Sequence, residues 1–541
     1  MGGSSSWVQG RAVNPLADEA MTRVLAALPL PKWYAIVVAV CAVLVSGLPA
    51  LGQGAPPGRH HAPVLQAREP GEAGNSAAAT TLNLPPDSLT HHKLDLSGRS
   101  LSFTAKAGTI KLMTEHGEHL ADIAYVAYLL DGSDPATRPV TFVFNGGPGA
   151  ASAWLQLGAL GPWRLPLNDG KTFPSASPAL VNNDDTWLDF TDLVFIDAPG
   201  TGYSRIAAPG EDVQKQLWSV QGDIQALAVV VRRWLASSER MLSPKFIAGE
   251  SYGGFRAPRL AQALAVDEQV GISGLVMISP LLDRVAFSGD EDPLRWAIYL
   301  PSYAAAVRQK AGPVTRAQLA DVEEYAAGDY LRDFLAGPGN PAAVSRMAQR
   351  VAALTGLDAA TVKRLGGRVA NDTFLRTFER AQGRILSTYD AGITAFDPHP
   401  NAADSQWLDP VLPGFEAPFG SAMVGLYARQ LGWHIQNRYE ILNRRVARQW
   451  DWGDEFTALG DVNYLKRMLA LDPQFRVLVA TGLTDLTLPY FGSFLLLNQI
   501  PAYGDGGRLA FKVYSGGHML YTNDASRKSM REDARHLIER R

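Results

Sequence analysis

Residues 245–255, KFIAGESYGGF, lead a short apolar run into a serine set among glycines, and FRAPRLAQALA, a stretch of helical texture, begins at Phe255. Gly249-Glu250-Ser251-Tyr252-Gly253 fits the G-x-S-x-G pattern, in which a sharp strand-to-helix turn lifts a serine hydroxyl above a sheet and glycines keep the crowded turn free of side chains. So short a pattern can arise by chance, and its placement carries the weight: an apolar strand before it and a helix after it are what the turn requires. The competing reading is an ordinary glycine-rich turn. Neither reading accounts for Glu250.

Working outward, VTFVF (140–144), LVFI (193–196), LVMIS (275–279) and VLVA (477–480) share the texture of the 245–248 run. Such short, nearly continuous apolar runs belong to strands buried on both faces. Between them lie helix-length stretches; Val220, Ile224, Leu227, Val231 and Leu235 form an apolar stripe at helical spacing that shields a sheet. Strands alternating with helices predict a central, mostly parallel sheet with helices on both faces. Upstream, LSFTAKAGTIKLM and ADIAYVAYLL alternate as strands of a meander, which adds antiparallel strands at one edge. From about 285 to 460 the rhythm breaks into alanine-, arginine- and leucine-rich helical patches such as VSRMAQRVAALTG. The expected organisation is an α/β core in two parts, 90–284 and 461–541, with a mostly helical cap inserted at 285–460 as wall or lid of a cleft.

A serine hydroxyl is a poor nucleophile until a base takes its proton, and a third group must orient that base. Downstream of Ser251 stand His399, His434, His518 and His536. His518 is singled out because YSGGHML follows the strand-like RLAFKVY, which puts it on a glycine-rich loop at a strand end. His399 and His434 fall in the insertion and His536 in a charged terminal helix. VLVATGLTDLTLPY offers Asp485 on the loop after the preceding strand, with helix capping as its rival role. An oxyanion needs preorganised N–H donors. VTFVFNGGPGAAS ends a strand in consecutive glycines, so the N–H groups of Gly147 and Tyr252 are the candidates. Phosphate cradling is the rival reading of NGGPG; it lacks the G-K-[ST] ending, and Pro148 removes a donor.

The chain has 541 residues, 46% of them hydrophobic, and a formal net charge of -3, which supplies no general pull toward nucleic acid. Arg23 and Lys32 precede an uncharged apolar run from Ala35 to Val45, with Ala50 and Gly52 at a cleavage spacing. Residues 1–52 read as a signal for export to the periplasm or medium, with an uncleaved membrane anchor as the alternative and Met21 as an alternative start. The sole cysteine, Cys41, lies in that run, and Val40 before it is too large for a lipoprotein cleavage site. The mature chain is then free of disulfides and thiol nucleophiles, and covalent catalysis falls to a serine. Residues 53–89, rich in Pro, Gly, Ala and Ser, read as a flexible leader. The pairs His60, His61 and His91, His92 lack companion carboxylates and read as solvated, so neither a metal nor an organic cofactor is expected.

With these residues in place, RPVTFVFNGGPG, LGALGPWR, DLVFIDAPGTGYSR, IAGESYGGFRAP, GLTDLTLPY and GGHMLY, in this order from about Thr90 to the C-terminus, resemble the serine carboxypeptidases of peptidase family S10, its bacterial branch in particular. The resemblance implies an α/β-hydrolase fold with an inserted helical cap, and a triad of Ser251, Asp485 and His518. It also implies a role for Glu250, which with Asn145 and Gly146 would bind the C-terminal carboxylate of a peptide. Two carboxylates meet only if they share a proton, so such binding favours acid pH. Two departures stand out. Where better-known members have a second glutamate, fourteen positions after the asparagine, this chain has Ala159; their GCSS is here GAAS. The expected partner is a peptide with a free C-terminus. Arg205, closing GTGYSR, is expected to pair at the surface or to line the cleft. The same machinery would serve an esterase or acyltransferase, and a catalytically silent binding module is the alternative of another class.

Overall fold

The computed structural model describes residues 84–541, apart from 171–172, 177–178, 208–210, 285–288, 403–408, 454–459, 505–506 and 541. The expected signal or anchor, Met21, Cys41, His60, His61 and most of the leader lie outside the described residues. Among the described residues, ten strands form one sheet: β1 (Ser88–Leu96), β2 (Arg99–Met113), β3 (His119–Leu130), β4 (Val140–Phe144), β5 (Asp192–Ile196), β6 (Arg205–Ile206), β7 (Lys245–Glu250), β8 (Gly274–Ile278), β9 (Arg476–Gly482) and β10 (Leu509–Tyr514). Their order is β1-β2-β3-β5-β4-β7-β8-β9-β10, with the short β6 pairing on β3. From β5 to β10 every pairing is parallel. The pairings of β1 with β2, β2 with β3, and β3 with β5 and β6 are antiparallel. The meander is thus one edge of the sheet, and it begins at Ser88, inside the stretch read as leader.

The period of two along each strand divides the core. On one face Val143, Phe246, Ala248, Val276, Ile278, Leu478 and Ala480 meet Trp154, Leu157, Leu160 and the helix Val411–Arg429. On the other, Phe142, Phe144, Ile247, Leu275, Met277, Val477 and Val479 meet helices α1 (Val220–Ser237) and α2 (Tyr252–Val266). The stripe Val220, Ile224, Leu227, Val231 and Leu235 is buried throughout. It starts at a capped turn, where the Ser219 hydroxyl accepts the Gly222 N–H at 3.0 Å.

The stretch 285–460 does two different things. Its first hundred residues fold helices such as Leu300–Gln309 and Pro341–Thr355 around a separate apolar cluster that also takes in Leu483, Leu486, Tyr490 and Phe491 from the chain after β9. Its later part, Val411–Arg429, lays Phe415, Phe419, Met423 and Leu426 on the sheet as part of the core layer itself. A short antiparallel ribbon, Arg384–Leu386 with Thr394–Phe396, joins the two.

Among the described residues no group of three or more His, Cys, Asp or Glu side chains is placed to hold a metal ion, and no helix is long and apolar enough to cross a membrane. His91 is exposed, with Nδ1 3.0 Å from the Thr104 hydroxyl. His92 corrects the reading of a solvated pair: it is half-buried, stacked on Phe103 at 5.3 Å and edge-on to Trp163 at 5.0 Å, because β1 brings it over an aromatic cluster.

Candidate active site

Ser251 sits at the junction of β7 and α2 with φ 59° and ψ -121°, a conformation that costs an L-residue on the order of 1–3 kcal/mol and persists only where the surroundings enforce it. Here they do. The Ser251 N–H donates to the Ile278 carbonyl at 2.9 Å, and its own carbonyl accepts from Gly254 at 2.9 Å and Leu281 at 3.1 Å. A Cβ at Gly253 would lie 2.7 Å from the Phe144 carbonyl oxygen, and one at Gly254 2.5 Å from Pro280 Cβ. Of the two glycines of the pattern, Gly253 thus answers to the end of β4, while a Cβ at Gly249 would overlap the Gly253 carbonyl within the turn itself; Gly254, just past the pattern, answers to the chain after β8.

Facing this turn is the loop after β4. A Cβ at Gly146 would stand 2.5 Å from the Tyr252 nitrogen and 2.7 Å from the Glu250 carbonyl oxygen, so a bare backbone is required there. Gly147 follows with φ 100°, a left-handed conformation suited to glycine. Among the described residues no backbone carbonyl takes up the N–H of Gly147 or of Tyr252. The loop is latched from far along the chain: Ala151 donates to the Ile441 carbonyl at 3.1 Å, Asn443 donates to the Gly149 carbonyl at 2.8 Å, and Trp154 Nε1 reaches Ile441 at 3.1 Å.

His518 and Asp485 are both buried and meet through Nδ1 and Oδ2 at 2.8 Å. The other carboxylate oxygen of Asp485 accepts the N–H groups of Thr487 at 2.8 Å and Leu488 at 2.9 Å, so the turn-capping role and the contact with histidine coexist on one residue. The His518 N–H donates to the Tyr389 carbonyl at 2.6 Å, and the two rings meet edge-on at 5.6 Å. From the sheet side the Ser279 hydroxyl donates to the His518 carbonyl at 2.8 Å. Burial alone would lower His518; the Asp485 carboxylate, with help from Glu250, outweighs it and holds the imidazole above its ordinary value. His399, His434 and His536 are exposed.

Glu250, at the end of β7, is buried. Its Oε2 accepts from Asn145 Nδ2, and its Oε1 accepts the Tyr521 hydroxyl at 2.9 Å. Asn145 is itself fixed: its Oδ1 takes the Leu155 N–H at 3.0 Å, and its carbonyl takes Arg256 Nη1 at 2.7 Å. Arg256, on α2, is held by the buried Asp223 carboxylate at 2.7 and 3.1 Å. Burial pushes the Glu250 carboxyl up to about 7 against the opposing pull of the His518 charge and the Tyr521 and Asn145 hydrogen bonds.

The structure thus brings Glu250, Ser251 and Tyr252 together on one turn with Asn145, Gly146 and Gly147 beside it, and pairs Asp485 with His518. Arg205 donates to the carbonyls of Gly202 at 2.7 Å, Ser204 at 2.9 Å and Arg438 at 2.5 Å, tying one loop to another, and among the described residues it forms no ion pair with a carboxylate. Ala159 is buried on the π-helical turn Gln156–Leu160 and brings no polar side chain. Sequence reasoning missed Tyr521, Tyr389, Arg256 and Asp223. Tyr521 lies three residues past His518 inside a motif already noted, but a tyrosine there carries no signal that separates hydrogen bonding from packing.

Residues 97–292 match the model of the serine carboxypeptidase family. Serine carboxypeptidase-like 16 of Arabidopsis thaliana is 26% identical over 175 residues, 31% of this chain and 39% of that protein. A pheromone-processing carboxypeptidase from Neurospora crassa is 32% identical over 143 residues, 25% of this chain and 20% of that one. The matched stretches thus cover well under half the length of these curated relatives. In overall fold the chain resembles the crystal structure of a prohormone-processing carboxypeptidase from Saccharomyces cerevisiae, with a TM-score of 0.50 at 16% identity, over 81% of this chain and 90% of that one. The sheet order, the serine turn and this likeness make the fold that of an α/β hydrolase.

Proposed function

We propose that the chain is an exported serine carboxypeptidase that removes residues from peptides with a free C-terminus through an acyl-enzyme on Ser251. In this reading Ser251 attacks the scissile carbonyl while His518 takes its proton and passes it to the leaving amine. Asp485 orients the imidazole and stabilises its charged form. The N–H groups of Gly147 and Tyr252 receive the oxyanion. Asn145, Gly146 and Glu250 receive the substrate's carboxylate. Water then attacks the acyl ester, His518 again accepting the proton, and the shortened peptide leaves.

The observation that carries the reading is Glu250: a buried carboxyl immediately before the nucleophile, held by a fixed amide and facing the candidate base. An ionised carboxyl there would repel a peptide carboxylate, whereas a neutral one can donate a hydrogen bond to it. With Glu250 raised to about 7, the neutral form prevails below that pH. Affinity for free C-termini therefore holds below about 7 and falls above it. His518 works as a base only when neutral, and its raised value cuts activity on the acid side earlier than an ordinary histidine would. Because the two groups face each other, the limbs of the pH profile belong to the pair.

Two experiments test this. A fluorophosphonate probe is expected to label the wild type and not Ser251→Ala; no Ser251-dependent adduct at any pH from acid to neutral would remove the hydrolase reading. Blocked dipeptides with free or amidated C-termini are expected to react at very different rates. Equal rates would leave a hydrolase that ignores the carboxylate, which is the esterase or acyltransferase reading.

A further inference from the structure

Both oxygens of Glu250 are occupied by the protein, and the two partners differ in kind. Asn145 presents its nitrogen at every pH, because Leu155 N–H holds its oxygen. The Tyr521 hydroxyl, 2.9 Å from Oε1, can both donate and accept. Burial and the neighbouring Glu250 keep the phenol proton well past its ordinary value, so this group does not titrate alongside Glu250. The other ionisable groups facing Glu250 are His518, Asp485 and Tyr389. The Tyr521 ring lies over Gly158, where a Cβ would come 2.6 Å from ring carbon Cε2, and Ala159, next in sequence, is buried and apolar. Tyr521 is on the turn Leu520–Thr522, directly continuous with the His518 loop.

We propose that Tyr521 is the positioning residue of the carboxylate site: its hydroxyl donates to Glu250 Oε1 whether that group is ionised or protonated, which leaves the acid proton on Oε2 for the peptide's C-terminal carboxylate, so a single carboxyl receives it. The inference rests on the carboxypeptidase reading. One carboxyl titrates in one step, whereas two at contact would titrate in two coupled steps. Tyr521 then sets the pH at which affinity for free C-termini is lost.

The test is KM against pH for a blocked dipeptide with a free C-terminus, in wild type, in Tyr521→Phe and in protein with 3-fluorotyrosine, a more acidic phenol, in place of tyrosine. The pH profile of fluorophosphonate labelling, which needs no substrate carboxylate, runs alongside as a report on Ser251 and His518. Wild-type KM is expected to rise with the slope of one proton. Tyr521→Phe keeps the ring on Gly158 and loses the donor, so the midpoint moves up by about one pH unit, the scale of one hydrogen bond to a charged group. Fluorotyrosine, a stronger donor of the same shape, moves it down. In both proteins the labelling midpoint, which feels Glu250 only through its coupling to His518, moves by much less than the KM midpoint. A two-proton slope in the wild type, or an unmoved KM midpoint in the substituted proteins, overturns the inference and leaves the carboxypeptidase reading standing. If Tyr521→Phe does not label, the fluorotyrosine protein decides. A wild type that ignores the C-terminal carboxylate overturns the carboxypeptidase reading itself, and this inference with it.

Discussion

Around Ser251 the backbone partners come from the sheet and the chain adjoining it: Ile278 of β8 accepts its N–H, Leu281 just past β8 and Gly254 of α2 donate to its carbonyl, and the end of β4 lies against Gly253. Around His518 the sheet side supplies one hydroxyl, from Ser279, while Tyr389 from the inserted stretch accepts the backbone N–H and sets its ring edge-on to the imidazole. Asp390, next to Tyr389, accepts the Thr484 hydroxyl at 2.6 Å, one residue before Asp485. The proposed nucleophile is thus built against the sheet, at the end of its own strand, and the proposed base and acid are set by an inserted stretch leaning on the loops. A turn of the first kind is specified where it stands. A loop of the second kind is only as well placed as a contact made from far along the chain.

Four substitutions probe that contrast. The largest effect is expected from Asp485→Asn, where the buried partner of His518 Nδ1 becomes an amide: kcat falls about 10³- to 10⁴-fold with little change in Tm. A comparable loss of Tm would mean that Asp485 serves chiefly to cap the turn at Thr487 and Leu488. Next is Glu250→Gln, on the sheet-built side. The native carboxyl titrates at about 7 against an ordinary 4.5, so the folded chain holds the extra proton between those values. Its stability is therefore full below 4.5, declines as pH rises to about 7, and stays at the lower level above. Removing the charge is expected to raise stability by about 3 kcal/mol near pH 8 and to change it little near pH 4, read from denaturant midpoints at the two pH values.

A step smaller is Gly517→Ala. A Cβ there would overlap the Tyr389 carbonyl oxygen and crowd Asp390, which shifts the His518 loop without touching the sheet. Labelling by fluorophosphonate is expected to slow about 100-fold, as for a misplacement near 1 Å, with Tm nearly unchanged; unchanged labelling would show that the inserted stretch does not position the base. Smallest is Asp390→Asn. Burial pushes this carboxyl up to about 6, and its Oδ1, which takes the Thr484 hydroxyl and the Gly392 N–H at 2.8 Å, has a counterpart in the amide. kcat should stay within about tenfold of wild type, and a larger fall would mark the carboxylate charge itself as part of the site.

The same contrast explains what could be read from the chain. β4, β5, β7, β8 and β9 are continuous apolar runs, and the elbow announces itself because Gly249, Ser251 and Gly253 must be adjacent in sequence to be adjacent in space. Asp485 and His518 were legible through glycine-rich loops at strand ends. Tyr389 and Asp390 were not, since nothing local distinguishes them from any polar pair in a helical region. Tyr521 was hidden differently: its hydroxyl matters only because Gly158 leaves room for the ring and Glu250 lies beyond it. Val411–Arg429 read as cap because helical texture is the same whether a helix covers a cleft or covers a sheet. His92 read as solvated because the aromatic residues beneath it arrive from β2 and the turn after the π-helix.

The latch on the loop after β4 has a consequence in time. Gly149 and Ala151 are tied to Asn443 and Ile441, so the donors beside Ser251 wait for partners made nearly three hundred residues later in synthesis. Asp485, His518 and Tyr521 emerge later still. In the proposed mechanism a nascent chain carries Ser251 through about half of translation without Asp485 and His518, and competence arrives with the end of the chain.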